Sequence, residues 1–372
     1  MTIKENKSIV WVTPNHFIDV DLQIVPYLAK TFKIHWIVLG KENRPTAYGN
    51  IETICKKIKS LTTEYYTING KWYMPYQFFK YRKFFKYVIS LPSNIIYIDS
   101  ALTFWIYYAA AYTLPKEKVI LATHNVKTPK GARLEHFVRF FMKKTLNNFY
   151  NFHVFSKNQE KYLKNTIQGK NILYAPLTLK DYGEKKPRTE NPEITNFLSF
   201  GHIRRYKRID LLINAAQKLH EEVEIPFKIT IAGNCTSWEK YQKLIKYPQL
   251  FDLKIGFIND DEVSDLFSNA DFLVLPYQDL AQSGAITVAF NYHIPVITSD
   301  IIQFREFVEN GKNGFLFKSE DINDLKCSMY KALMLKKDNK YNTLVESSKQ
   351  FVKNNYALSS IAEKYTDYFN KF

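Results

Sequence analysis

Residues 197–216 read FLSFGHIRRYKRIDLLINAA: an apolar run ending at Gly201, a loop dense in cations (Arg204, Arg205, Lys207, Arg208), then apolar residues at Ile209, Leu212, Ile213 and Ala216. The spacing of that last set, continued by Leu219, predicts a helix over 208–220. A strand that passes into a helix through such a loop is one unit of a parallel α/β sheet. The turn exposes backbone amides and the positive end of a helix dipole, and Arg and Lys beside them suit a diphosphate. The stretch is not a P-loop and lacks GxGxxG, so a solvated basic loop is the plainer alternative.

The same alternation extends outward in both directions. Short apolar runs at Ser8 to Thr13, Ile34 to Leu39, Ile95 to Ile98, Val119 to Ala122 and His153 to Phe155 read as strands buried on both faces. So do Asn196 to Phe200, Lys228 to Ala232, Leu253 to Gly256, Phe272 to Leu275 and Pro295 to Thr298. Helical spacing lies between them, for example in Asp260 to Ala270. Two parallel sheets with right-handed crossovers follow, that is, two doubly wound Rossmann-like domains. The charged, turn-rich DYGEKKPRTENP, within Lys180 to Pro192, places the boundary near residue 185. The expected domains are 1–185 and 186–355. An amphipathic helix at 356–372 would pack back toward the first domain through Ile361, Ala362, Tyr365, Tyr368 and Phe369.

The chain has 372 residues, enough for about two domains at roughly 150 residues each. An apolar content of 46% excludes a mostly disordered chain. Three cysteines at 55, 235 and 327 lack metal-type spacing and argue against a disulfide framework. The net charge of +16 is unevenly placed: residues 1–185 hold 28 basic and 12 acidic side chains, whereas 186–372 hold 24 of each. Such asymmetry suggests a first half turned toward polyanions, nucleic acid or anionic lipid, with an idle basic surface as the alternative. The start of the chain shows no long apolar stretch or cleavage site, which makes the cytoplasm the expected compartment. Ile95 to Leu114 is interrupted by Asp99 and tyrosines and fits a strand followed by a helix better than a membrane span.

A second constellation lies at 271–317, DFLVLPYQDLAQSGAITVAFNYHIPVITSDIIQFREFVENGKNGFLF. A strand leads to Gln282, Ser283 and Gly284, where a glycine, a hydroxyl and the first amides of a helix could hold an anion. Glu306 precedes an Asn-Gly turn into a further strand. With these segments in order over about 120 residues, the second half resembles the C-terminal domain of the retaining glycosyltransferases usually called family 4, which have the GT-B fold. That resemblance implies two Rossmann-like domains facing a central cleft, and a nucleoside-diphosphate sugar, UDP or GDP type, as donor substrate rather than cofactor. It implies that Arg204 and Lys207 stabilise the leaving diphosphate and that Gly201 belongs to the same loop. Gly256, Phe257 and Ile258 would lie beside the nucleobase, and Gln282, Ser283, Gly284 and Glu306 would line the donor site. His124, following strand Val119 to Ala122, resembles the family histidine that faces the donor sugar. No metal is expected, because protein cations would serve the diphosphate.

Two departures stand out. The family's pair of glutamates, eight residues apart, falls on Leu280 and Val288, neither of which can accept a hydrogen bond. The N-terminal loop, often glycine-rich in the family, reads Thr13-Pro14-Asn15-His16-Phe17. The expected activity is sugar transfer to a lipid-linked or growing glycan acceptor in cell-surface polysaccharide or lipopolysaccharide synthesis. The alternatives are a catalytically impaired nucleotide-sugar or glycan binder in a biosynthetic complex, and a nucleotide-sugar epimerase. Lys71 to Tyr87, KWYMPYQFFKYRKFFKY, interleaves five cations with aromatic rings and contains no acid. It suits an anionic membrane surface, which would make the protein peripheral on the cytoplasmic face; no nucleic-acid fold signature is present.

Overall fold

The structure is a computed structural model that describes residues 7–40, 51, 55–99, 102–126, 134–280 and 283–372. The chain divides into two compact units, Met1–Thr178 with Tyr356–Phe372, and Leu179–Asn355. The division after Thr178 lies ahead of the boundary expected near 185, because residues 183–190 are fastened to the second unit. The Tyr292 hydroxyl donates to Gly183 O at 2.9 Å, and Arg188 grips Asp271 through two hydrogen bonds of 2.8 and 3.1 Å.

In the first unit the strands are β1 (Ser8–Pro14), β2 (Lys33–Leu39), β3 (Leu61–Tyr66), β4 (Ile95–Ile98), β5 (Val119–Thr123), β6 (Asn151–Val154) and β7 (Asn171–Tyr174). They pair in parallel in the order β3-β2-β1-β4-β5-β6-β7. In the second unit β8 (Thr195–Phe200), β9 (Phe227–Gly233), β10 (Phe251–Ile255), β11 (Phe272–Leu275), β12 (Val296–Ser299) and β13 (Gly314–Phe317) are likewise parallel, ordered β10-β9-β8-β11-β12-β13. Each sheet reverses its strand order once, between β1 and β4 and between β8 and β11. Open α/β sheets bind ligands outside the carboxyl ends of the strands at such a point.

Alternation along β1 shows how the first sheet is covered. Ile9 and Trp11 join one core, and Val10 and Val12 join the core on the opposite face. The helix Leu358–Phe369 belongs to the first of these cores through Ile361, Ala362, Tyr365, Tyr368 and Phe369. Tyr365 meets Trp11 with ring centroids 5.9 Å apart, and Trp11 stacks on Tyr97 at 3.7 Å. In the second unit, Ile209, Leu212, Ile213 and Ala216 of the helix Ile209–Glu222 pack on Phe197, Ile229 and Phe272 of the sheet. The strand and helix at 95–114 are β4 and Phe104–Thr113, and among the described residues no helix is long and apolar enough to cross a membrane.

Candidate functional site

β8 ends at Phe200, and the chain turns at Gly201 with φ +99°, a conformation glycine adopts at little cost. The Gly201 amide donates to Ala232 O at 2.9 Å. Beside it, Gly233 closes β9 so tightly that an added Cβ would stand 2.3 Å from the Gly201 carbonyl oxygen. These two glycines bring the strand ends together and leave the Gly201 backbone exposed to a cavity of about 250 Å³. The cavity is lined by Gly201 and Lys207 from the β8 side, Tyr277 beyond β11, and Ser283, Gly284 and Val288 from the following helix. It therefore lies at the sheet's reversal point.

The cation loop is locally ordered. Arg205–Lys207 forms one 3-10 turn, Lys207 N donates to Arg204 O at 2.9 Å, and Gln278 N donates to Tyr206 O at 2.7 Å. These bonds carry the Lys207 ammonium over the strand end. Nζ lies 3.2 Å from where a Gly201 Cβ would stand and 5.2 Å from the Tyr277 ring centroid. Burial, and secondarily the Arg204 charge, hold its pKa down to about 8, with no carboxylate offsetting them. Arg208 is already engaged, by Asp210 at 2.9 Å and Glu320 at 2.7 Å, and it caps the helix from a left-handed conformation, φ +49°. Of the four loop cations it serves the scaffold.

Across the cavity, the helix Gly284–Asn291 presents its first amides without intrahelical acceptors. The buried Ser283 hydroxyl makes no hydrogen bond of ordinary geometry; its neighbour is the Tyr277 hydroxyl, which burial holds far above its usual pKa. Val288 presents an apolar wall, and Leu280 is buried, 4% exposed. The departures noted in the sequence thus place hydrocarbon where a carboxylate was the family expectation.

The first unit has its own constellation at its reversal point. Asp99 follows β4 and His124 follows β5, and the β4–β5 register, Ile98 opposite Leu121, brings the two strand ends together. His124 Nε2 lies 2.7 Å from Asp99 Oδ1. The imidazole is sandwiched between Phe17 and Phe155, with ring centroids 4.1 and 4.3 Å away and nearly parallel planes. Gln159 fixes the loop, since its Nε2 donates to His124 O at 3.1 Å and its Oε1 accepts from Val126 N at 3.2 Å. Asp99 is fully buried, and its Oδ2 has no hydrogen-bond partner among the described residues. Asp21 is also buried and accepts from Trp11 Nε1 at 2.9 Å and Thr13 Oγ1 at 2.5 Å. Burial, reinforced by the Asp99 charge, pushes Asp21 well above the usual carboxylate range.

Of the residues predicted from sequence, the cavity brings together Gly201, Lys207, Ser283 and Gly284. Arg204 is exposed beside it and does not line it, although its charge is felt by Lys207. Gly256, Phe257 and Ile258 follow β10 and are not among the residues that line the cavity, and Phe257 is 80% exposed. Glu306 ends the 3-10 turn Phe304–Glu306, also off the cavity wall, while Gln282 lies outside the described residues. The sequence reading missed Lys180, which lines the cavity, and Asp99, which holds His124. An acid directly after a buried parallel strand is the signal that points to Asp99.

In the basic segment, Lys71, Lys80, Arg82, Lys83 and Lys86 are all exposed, together with Trp72, Tyr73, Met74, Tyr76 and Phe79. The segment also serves the fold, because Phe84, Phe85 and Val88 of its helix Gln77–Ser90 enter the core.

Residues 183–356 match the family described as Glycosyl transferases group 1. No curated protein sequence matches the chain. Among solved structures, the chain is similar to sucrose-phosphate synthase (tll1590) from Thermosynechococcus elongatus, with 14% identity, TM-score 0.73 and coverage of 98% of this chain and 99% of that one. It is also similar to Anabaena Alr3699/HepE in complex with UDP and glucose, with 11% identity, TM-score 0.70 and coverage of 99% and 100%. WaaG, a glycosyltransferase involved in lipopolysaccharide biosynthesis, matches with 13% identity, TM-score 0.67 and coverage of 98% and 100%. The fold is therefore GT-B, with two Rossmann-like parallel-sheet units.

Proposed function

We propose that the protein transfers a sugar, with retention at the anomeric carbon, from a nucleoside-diphosphate donor to a lipid-linked or growing glycan acceptor in cell-surface polysaccharide or lipopolysaccharide synthesis. The observation that carries this reading is the Lys207 ammonium, half-buried with no carboxylate to offset it, over the Gly201 backbone at the second sheet's reversal point. A cation kept at that cost suits an anion that arrives and leaves. Stabilising the charge that develops on the departing diphosphate as the sugar bond breaks is the chemistry it can supply. His124, held by Asp99 and two phenylalanines, is the first unit's candidate for orienting a sugar hydroxyl. The family match and the solved neighbour holding UDP and glucose support the donor class.

The test is nucleotide release from a panel of UDP- and GDP-sugars with membrane-extracted lipid acceptors. Acceptor-dependent release from at least one donor is expected. Val288 on the cavity wall, with Leu280 buried nearby in sequence, favours one second reading: a member that binds the donor without turning it over. Tight nucleotide binding with no release from any donor would establish it.

For the acceptor side, the exposed cations and aromatics of Lys71 to Tyr87 support peripheral attachment to an anionic bilayer. We expect the protein to float with vesicles containing phosphatidylglycerol and to be released by high salt. Reversing Lys80, Arg82, Lys83 and Lys86 to Glu should abolish flotation, whereas equal binding to neutral vesicles contradicts the attachment.

A further inference from the structure

The cavity of the second unit is lined by a second cation besides Lys207. Lys180 Nζ stands 3.6 Å from where a Cβ on Gly284 would be, at the head of the helix Gly284–Asn291, and the side chain is half-buried. The residue is held there because the chain just beyond it is strapped to the same unit. Gly183 N donates to Asp181 Oδ1 at 2.9 Å, Tyr292 Oη donates to Gly183 O at 2.9 Å, and Lys186 pairs with Asp265 at 2.8 Å.

The cavity thus has two lysines in its lining and, among the described residues, no carboxylate. The Ser283 hydroxyl, on a residue 4% exposed, lines it without an ordinary hydrogen bond, and the first amides of the helix open toward the same end. A ligand with two anionic groups can offer one to each ammonium, and a hydrogen bond between charged groups is among the strong ones. A monophosphate would engage one cation; a diphosphate has a group for each.

We infer that Lys180 is the second phosphate ligand of the donor site, gripping one phosphate together with Ser283 and the head of the helix Gly284–Asn291 while Lys207 takes the other. This rests on the donor-site reading above and names the residue that makes the site select a diphosphate over a monophosphate.

The experiment compares binding of UDP, GDP, UMP and GMP to the full chain by calorimetry, for the wild type, Lys180→Met and Lys180→Arg. The wild type should prefer the diphosphate. Lys180→Met should lose about ten- to hundredfold in diphosphate affinity, the effect of one charge-assisted contact, with monophosphate affinity changing less than about threefold. Lys180→Arg should restore most of the preference. Phosphorus NMR of the bound diphosphate gives an independent readout, in which Lys180→Met should move one of the two resonances much more than the other. A Lys180→Met protein with wild-type melting that keeps the full preference overturns the role of Lys180 and leaves the donor site standing. A wild type that binds diphosphate no better than monophosphate overturns the donor-site reading and the inference with it.

Discussion

Lys207→Met is expected to lower affinity for the nucleoside diphosphate by about a hundredfold or more while leaving the melting temperature unchanged or higher. The two effects have one cause. Lys207 is desolvated beside Arg204 without an acid partner, so the folded chain keeps that charge at a cost which only an anionic ligand offsets. Methionine retains most of the hydrocarbon stem and removes the charge, which relieves the fold and removes the phosphate contact. The pH dependence follows from the lowered pKa, about 8 against 10.5 for an ordinary lysine. Between those values the unfolded chain holds more protons at this site than the folded one, so this site makes stability rise with pH across that window. Binding runs the other way. A diphosphate needs the ammonium, so affinity should fall by up to about tenfold per pH unit above pH 8, and complex formation there should take up a proton. Calorimetry in buffers of different ionisation enthalpy measures that uptake. A wild-type affinity flat from pH 7 to 9, or a Lys207→Met protein that binds normally, would sink the assignment.

Central strands were legible because they are buried on both faces and spell it out as apolar runs: β4 and β11 are buried at every position. The strands not anticipated, β3 and β7, are the edges of the first sheet. Their sequences LTTEYY and NILY mix polar with apolar residues, and most of their positions are only partly buried. At the site, Gly201 and Lys207 could be read from one continuous strand, loop and helix, since every part of that geometry is local. Arg208 is one of the four cations of that loop and was not among the two, Arg204 and Lys207, assigned to the diphosphate. It is withdrawn from the binding set by Asp210, two residues on, and by Glu320, over a hundred residues away, and only the first of these partners is local. Lys180 stood in a stretch whose charges and turn-formers marked a boundary, and contacts with distant residues such as Tyr292, Asp265 and Asp271 reveal that the stretch is strapped to the second unit. Asp99 counted only as a polar interruption of an apolar window. Its role depends on which strand lies beside β4.

That neighbour relation makes Asp99→Asn the sharpest test of the first unit. The imidazole of His124 can rotate about its side-chain bonds, and the Phe17 and Phe155 faces restrict its plane without choosing which nitrogen points inward. Asp99 makes that choice by taking Nε2, and an asparagine can present its NH2 group to the same nitrogen and favour the other tautomer. We expect Asp99→Asn to lower kcat/KM by about a hundredfold, as misplacement of an orienting group does, and His124→Ala to do at least as much. The UDP affinity of either variant should match the wild type, because the residues proposed to hold the diphosphate all lie in the second unit. Asp21 supplies a readout that separates this role from general damage to the fold. The Asp99 charge is the second cause of its raised pKa, after burial, so Asp99→Asn should bring the Asp21 carboxyl part of the way down toward the ordinary range. Carbon NMR of labelled aspartate can follow that shift. A folded Asp99→Asn protein with lowered Asp21 pKa and undiminished turnover would show that Asp99 tunes the interior without positioning His124. Full turnover in both variants would remove the first unit's reversal point from the reaction altogether.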